Sequence, residues 1–420
     1  MKNIVVGQSG GPTAVINASL AGVIEAAKAK GAEKVFGMLN GIDGLIHGKL
    51  TLLYDRAADK GLTADEIKIL KQTPAAYLGS TRHKMKNVEE AEAEYKKIFA
   101  NLEKNKIDTL ILIGGNDTAD TTNSMYNYAV KTGGELTVIG VPKTIDNDLA
   151  VTDHAPGFGS AAKYVATTVR ELIRDAYSFE RKSVFIIEIM GRNAGWLTAA
   201  ALLAEDDDNP GPDIFLYPEK HFNEDKFFAD IKNVLSKKNT VVIAASEGIK
   251  DVNEIEVCNL HAKGDKNIDD HGHTKLSGVA NYLKLRVEQQ LKKDLDLKNV
   301  SAIEFSYIQR SAAHIASGRD VDDAYLAGWH AVEAAAAGES GKMVILDREP
   351  GKKGEPKTCK AALIANVEHR LTDKWPDLDL SSKEFRDAFV KYAKPLIKGE
   401  IHIETDEKTG LPKHLVLPKQ

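Results

Sequence analysis

Three observations predict an α/β fold built on doubly wound parallel sheets. Short β-rich runs alternate with longer amphipathic stretches through most of the 420 residues, the pattern of successive βαβ units. Several of the short runs are apolar on both faces, as a strand covered by helices on each side must be; Leu110-Ile111-Leu112-Ile113 is the clearest. Loops rich in Gly, Asp and Asn directly follow strands, where such sheets place their ligands.

In chain order, the expected strands are Asn3–Gly7, Lys34–Met38, Thr109–Ile113, Thr137–Val141, Val184–Ile189, Asp213–Tyr217, Thr240–Ala245, Ala302–Ile308 and Met343–Leu346. Each is four to seven residues rich in Val, Ile and Thr, a length and composition that suit a pleated, buried surface. The expected helices are Ala14–Lys30, Val88–Lys104, Ser160–Tyr177, Lys226–Lys237, Leu276–Lys292 and Asp320–Ala337. They are long enough to carry a chain back across a sheet. Glu205 to Pro212 reads as a solvated acidic turn, and the Lys- and Pro-rich tail after Gly351 ends in a helical pattern near Ser382–Ile397. At roughly 150 residues per domain, the length leaves room for two or three.

Composition narrows the function. Hydrophobic residues make up 43% and charged residues 28%, which suits a globular chain. Lys and Arg number 56 against 61 Asp and Glu, a net charge of -5. That balance argues against a dedicated nucleic-acid or membrane-surface binder, while leaving room for a local basic pocket that holds a small anion. Cys258 and Cys359 form neither a disulfide framework nor a metal-like spacing. Together with the lack of a signal-peptide pattern, they predict a soluble, cytoplasmic protein.

Three loops carry the chemistry. Gly7-Gln8-Ser9-Gly10-Gly11-Pro12-Thr13 joins the first strand to a helix containing Asn17. Its glycines let the backbone approach a phosphate at a helix N-terminus. The spacing is neither that of a Walker loop nor that of the dinucleotide fingerprint, and alone it reads equally as a tight turn. Gly114-Gly115-Asn116-Asp117-Thr118 offers backbone amides for phosphate oxygens and a carboxylate for Mg²⁺. A helix cap would also explain Asn116 or Asp117. Pro142-Lys143-Thr144-Ile145-Asp146-Asn147-Asp148 sets two carboxylates at i and i+2 after a lysine. One carboxylate can take a proton from a hydroxyl while the other supports a metal, and Lys143 can neutralise phosphoryl charge.

These loops recur in order with Tyr77-Leu78-Gly79-Ser80-Thr81-Arg82, Glu188-Ile189-Met190-Gly191-Arg192, Ser246-Glu247-Gly248 and Tyr307-Ile308-Gln309-Arg310. The combination resembles the phosphofructokinase family, specifically its pyrophosphate-dependent branch, over about the first 345 residues. The resemblance implies two doubly wound, Rossmann-like α/β domains. Residues 1–155, completed by about 314–350, would form the donor side, 156–313 the sugar-phosphate side, and 351–420 a C-terminal extension.

It also implies roles. Asp146 corresponds to the base for the 1-hydroxyl of fructose 6-phosphate, with Asp148 supporting it or the metal. Arg82 and Arg192 would stabilise the transferring phosphoryl group. Gly11, Arg82, Asp117 and Lys143 would bind pyrophosphate, with Lys143 acting in catalysis as well. Thr144, Asp146, Met190, Gly191, Arg192, Glu247, Tyr307 and Arg310 would line the sugar side, Arg310 pairing with the 6-phosphate. Mg²⁺ is the implied cofactor, at Asp117 and Asn116, and a homodimer or homotetramer the implied assembly.

The donor assignment turns on two positions. Members that use ATP carry glycine where this chain has Asp117 and Lys143. A carboxylate about 4 Å from a nucleotide phosphate costs on the order of 4 kcal/mol at an effective dielectric near 20, about a thousandfold in affinity. Pyrophosphate brings no adenosine, so both side chains fit it. Departures from the family pattern are Asn116 in place of an aspartate, and Ser183 and Ser301 where arginines commonly reach a neighbouring subunit, with Arg181 or Lys182 as substitutes for the first. Tyr307 in place of a histidine matches the pyrophosphate branch. The rival readings are an ATP-dependent 6-phosphofructokinase and a noncatalytic sugar-phosphate sensor. His154 and Trp196 are expected to be structural.

Overall fold

The computed structural model describes residues 2–259, 278–349 and 354–417. Among them the strands are β1 (Asn3–Gln8), β2 (Lys34–Met38), β3 (Leu50–Asp55), β4 (Lys60–Gly61), β5 (Ile107–Gly114) and β6 (Thr137–Pro142). Then come β7 (Ser183–Ile189), β8 (Ile214–Leu216), β9 (Thr240–Ser246), β10 (Asn299–Glu304), β11 (Lys342–Asp347) and β12 (Glu355–Lys360). The chain divides into two compact units, Met1–Ser160 with Arg310–Glu368 and Lys398–Gln420, and Ala161–Gln309 with His369–Ile397. The expected C-terminal extension is thus shared between the units, apart from residues 351–353 and 418–420, which lie outside the described residues.

The first unit is built on an eight-stranded sheet in the order β12-β11-β6-β5-β1-β2-β3-β4. Its centre is parallel, as expected, but β3, β4 and β12 pair antiparallel at the two edges. Two of these edge elements were illegible as strands for a physical reason. Lys60–Gly61 is only two residues long, and β12 carries Pro356, whose missing N–H is tolerated only at an edge. The two-sided apolar strands do bury both faces. Ile4, Val6, Ile111 and Ile113 enter one cluster with Leu20, Ile24 and Ala331, while Val5, Leu110 and Leu112 enter another with Tyr95, Ile98 and Met125.

The helices Ile16–Ala29 and Gly318–Ala336 cross at backbone contact in this unit. A Cβ on Gly22 would stand 2.1 Å from Tyr325 O, and one on Gly328 would stand 2.0 Å from Ser19 O. The reciprocal glycines let the two helices touch, and only glycine fits either position.

The second unit holds a four-stranded parallel sheet, β10-β7-β9-β8. Val184, Ile186, Val241 and Ile243 pack against Phe227, Ile231, Leu283 and Val287 from its helices. The strand expected to run to Ile308 stops at Glu304. Ser306 takes a left-handed φ of 42°, which breaks the extended run, and a short helix Ile308–Ser311 follows. The helix expected from Leu276 is described from Val279, since 276 and 277 lie outside the described residues. Helix Lys383–Ala393, capped by Ser382, brings Phe385 and Phe389 onto Trp375, and Phe389 with Tyr392 onto Trp196. Trp196 is fully buried and its Nε1 donates to His369 O at 2.9 Å, a packing role. No described helix is long and apolar enough to cross a membrane.

Helix propensity alone favours alanine over glycine by about 1 kcal/mol. The crossing reverses the sign: Gly328→Ala should lower stability by about 1–3 kcal/mol through overpacking, read as a lower midpoint in thermal or urea unfolding.

Candidate active site

The strand order of the first unit reverses at β1 and β5, and the carboxyl ends there lie side by side, Gln8 opposite Ile113 and Gly114 opposite Pro142. The three glycine- and aspartate-rich loops therefore leave one crevice. A buried amide pair braces them. Gln8 Nε2 donates to Asn17 Oδ1 at 2.8 Å, and Asn17 Nδ2 donates to Thr73 O and Ala75 O, both at 2.8 Å. Tyr77 N donates to Asn17 Oδ1 at 2.9 Å and Leu78 N to Gln8 Oε1 at 3.0 Å. Two side chains thus satisfy the backbone of the segment leading to Arg82. Gly10 N donates to Thr81 O at 2.9 Å and Ser80 Oγ to Gly10 O at 2.6 Å, binding that segment to the first glycine loop. Gly10 has a φ of 77°, which suits glycine.

Lys143 lies at the centre of this crevice, only 3% exposed. Its Nζ donates to Gly11 O at 2.8 Å. Burial pulls its pKa down to about 8, against the upward pull of Asp146 and Asp148, while Arg310 and Arg82 add to the lowering. Arg310 also comes close to Gly11, whose added Cβ would stand 3.2 Å from its NH1. Asp146 N donates to Thr144 Oγ1 at 3.1 Å, a local turn that fixes the carboxylate's backbone. Asp148 is held well above the ordinary carboxylate range, first by burial and then by the charge of Asp146; Glu368 adds to the effect and Lys143 opposes it. Gly11, Arg82, Lys143, Thr144, Asp146, Asp148 and Arg310 thus all belong to this unit.

Asn116 opens the helix Asn116–Thr132 and donates from Nδ2 to Asp148 Oδ2 at 3.2 Å. Its Oδ1 is buried with no hydrogen-bond partner. An orphaned amide oxygen beside a carboxylate is a donor set suited to a hard cation such as Mg²⁺. Asp117 is exposed, and its Oδ1 stands 3.1 Å from Lys84 Nζ. No cluster of three or more His, Cys, Asp or Glu in metal-holding geometry occurs among the described residues.

In the second unit, Met190, Gly191 and Arg192 follow β7, and Glu247 follows β9, whose end pairs with it at Ile189 and Ser246. Gly191 N donates to Glu247 Oε1 at 3.4 Å, and Ser246 Oγ donates to Gly191 O. A Cβ on Gly248 would stand 1.8 Å from Arg192 O, so the two turns are in backbone contact. Met190 N donates to Gln309 Oε1 at 3.2 Å, and Gln309 Nε2 to Ser306 O at 2.9 Å, tying the segment of Tyr307 to the same strand end. Tyr307 is 64% exposed. Ser183 is buried, and Arg181 is exposed with its guanidinium over the Phe179 ring at 4.6 Å.

Gln8, Thr81 and Ser80 lie inside segments already recognised in the sequence, but their bracing role was missed, as was the neighbour Glu368. A glutamine at the end of an apolar strand is the one signal that could have found the first. Gln309 also sits inside a recognised segment, and only the fold shows what it holds.

The sequence profile described as "PFK: Phosphofructokinase" matches residues 3–335. The chain is 38% identical over 419 residues to a pyrophosphate–fructose 6-phosphate 1-phosphotransferase of Xanthomonas campestris pv. campestris, covering 99% of this chain and 96% of the relative. It is 36% identical over 425 residues to a protein of the same name from Halomonas elongata, again covering 99% and 96%. A crystal structure of a pyrophosphate-dependent phosphofructokinase from Nitrosospira multiformis superposes with a TM-score of 0.82 at 32% identity, covering 100% of this chain and 98% of that one.

Asn17→Ala should leave Thr73 O, Ala75 O and Tyr77 N without their partner, each unsatisfied group costing about 1–3 kcal/mol. The expected outcome is a lower unfolding midpoint and faster amide hydrogen exchange at Tyr77 and Leu78. Unchanged exchange there would contradict the bracing role.

Proposed function

The chain belongs to the phosphofructokinase family, and we propose that it transfers a phosphoryl group reversibly from pyrophosphate to the 1-hydroxyl of fructose 6-phosphate. The products are fructose 1,6-bisphosphate and phosphate. The observation that carries this reading is the buried ammonium of Lys143, on Gly11 O and beside Asp146 and Asp148, where ATP-using members have glycine. The names of the near-full-length relatives support the same donor and acceptor.

In this reading the 1-hydroxyl oxygen attacks one phosphorus of pyrophosphate and the bridging P–O bond breaks. Asp146 accepts the hydroxyl proton, and the leaving phosphate carries away the bridging oxygen. A primary alcohol is a poor nucleophile at neutral pH, so a carboxylate within reach contributes typically 10²–10⁴-fold. Lys143, Arg82 and the amide of Gly11 hold the donor and offset its charge; Arg192 stabilises the transferring group. Thr144, Met190, Gly191, Glu247, Tyr307 and Arg310 bind the sugar phosphate. The family generally uses a divalent metal, and Mg²⁺ here would supply positive charge that offsets the donor's phosphates. Asn116 Oδ1 is the protein ligand best suited to it, with Asp117 as the second candidate. A homodimer or homotetramer in a reducing cytoplasm completes the reading.

The donor test supplies purified protein, Mg²⁺ and fructose 6-phosphate with either pyrophosphate or ATP. Turnover with pyrophosphate and little with ATP is expected; the reverse would sink the donor assignment. Asp146→Asn should lower kcat by roughly 10²–10⁴-fold. Lys143 loses its proton as pH rises through about 8, so kcat/KM for the donor, which reports the free enzyme, should fall above that pH. Lys143→Arg, whose guanidinium does not titrate, should shift that limb upward.

A further inference from the structure

Outside the crevice, the first unit holds a chain of alternating charges, Arg348, Asp153, His154, Asp323 and Arg319. His154 is 2% exposed. Its Nδ1 stands 3.0 Å from Asp153 Oδ2 and its Nε2 3.0 Å from Asp323 Oδ2. Arg348 Nε donates to Asp153 Oδ2 at 2.7 Å, and Arg319 Nε to Asp323 Oδ2 at 2.8 Å. Only an imidazolium offers a donor to both carboxylates. Burial disfavours that charge, but the hydrogen bonds and charges of Asp153 and Asp323 outweigh it and raise the pKa above the ordinary histidine value.

The residues around His154 form the return limb of the loop that carries Asp146 and Asp148. Thr144 N donates to Pro156 O at 3.1 Å, and Ala155 N donates to Asn147 Oδ1 at 2.9 Å, with Asn147 at a left-handed φ of 55°. Residues 144–147 are therefore held by residues 155 and 156. That limb is anchored in turn on β11, where Asp153 N donates to Leu346 O and Leu346 N to Thr152 Oγ1, both at 2.9 Å. Its other anchor is the helix Gly318–Ala336, through Asp323 and through Asp320. Asp320 accepts from Gly157 N at 2.9 Å and Ser160 N at 2.8 Å.

We infer that His154, held as an imidazolium between Asp153 and Asp323, is a positioning residue for Asp146. The inference rests on the reading in which Asp146 takes the hydroxyl proton. Once the imidazole is neutral, one carboxylate faces a lone pair, and Asp323 repels Asp320 three residues earlier on the same helix. The limb then loses an anchor, and a displacement of about 1 Å at a reacting group can cost 10²-fold.

The test compares full-length wild type, His154→Gln and Asp323→Asn with Mg²⁺, pyrophosphate and fructose 6-phosphate. Each variant should lose roughly ten- to a hundredfold in kcat, with both KM values within about threefold of wild type. Wild-type kcat in His154→Gln would overturn the inference. The second readout is the wild-type minus His154→Gln difference in Tm against pH. A raised pKa gives stability that is fully present below the unfolded value of about 6.5 and is lost as pH rises through the folded value. The difference should therefore shrink with rising pH, and a difference that stays flat from roughly pH 6 to 9 would also overturn the inference. Lack of any wild-type turnover with pyrophosphate would sink the functional reading instead, separately from the Tm comparison.

Discussion

The burial of Lys143 is the constraint on which the crevice depends. Placing an ammonium at 3% exposure is costly unless acceptors meet it. Here Gly11 O accepts a hydrogen bond from it, and Asp146 and Asp148 supply opposite charge. The price falls partly on the carboxylates, since Asp148 is raised by the same burial that lowers the lysine. Those groups come from the ends of β1 and β6, so the first loop and the third cannot move independently. The amide pair Gln8–Asn17 then fixes the segment of Arg82 to the same strand end. A bound polyanion would meet positive charge already in place, and preorganised charge of that kind supplies most of the catalysis in phosphoryl transfer.

The net charge of -5 said nothing of this crevice. In the proposed reading, anion binding depends on a few cations brought together by strand order, not on a basic surface. Asp117 illustrates the limit of a purely local argument. On sequence alone its carboxylate repels a nucleotide phosphate; in the structure it is exposed and paired with Lys84, where solvent weakens such effects. In the proposed reading, discrimination between donors therefore leans on Lys143, which is buried, more than on Asp117.

The central parallel strands were legible because burial on both faces leaves an uninterrupted apolar run, as in Leu110 to Ile113. The edges were not: β12 and β4 bury little, so neither leaves a hydrophobic pattern to read. The β10 end was misread because Phe305 and Ile308 extend an apolar pattern that the backbone of Ser306 interrupts. At the site, residue types and order pointed to the loops, since carboxylates beside lysine and paired glycines have few structural uses. The braces were hidden because hydrogen-bond partners such as Asn17 and Tyr77 lie sixty residues apart. The salt chain through His154 was hidden for the same reason, with partners 169 residues apart.

The most direct test of the account is the proton count on pyrophosphate binding at about pH 8, from calorimetry in buffers of differing ionisation enthalpy. Lys143 is about half protonated there in the free protein, and a bound polyanion favours its charged form. Wild type should take up more protons than Lys143→Arg, whose guanidinium is always charged. Equal proton uptake by the two proteins would contradict the claim that a buried, partly neutral Lys143 receives the donor.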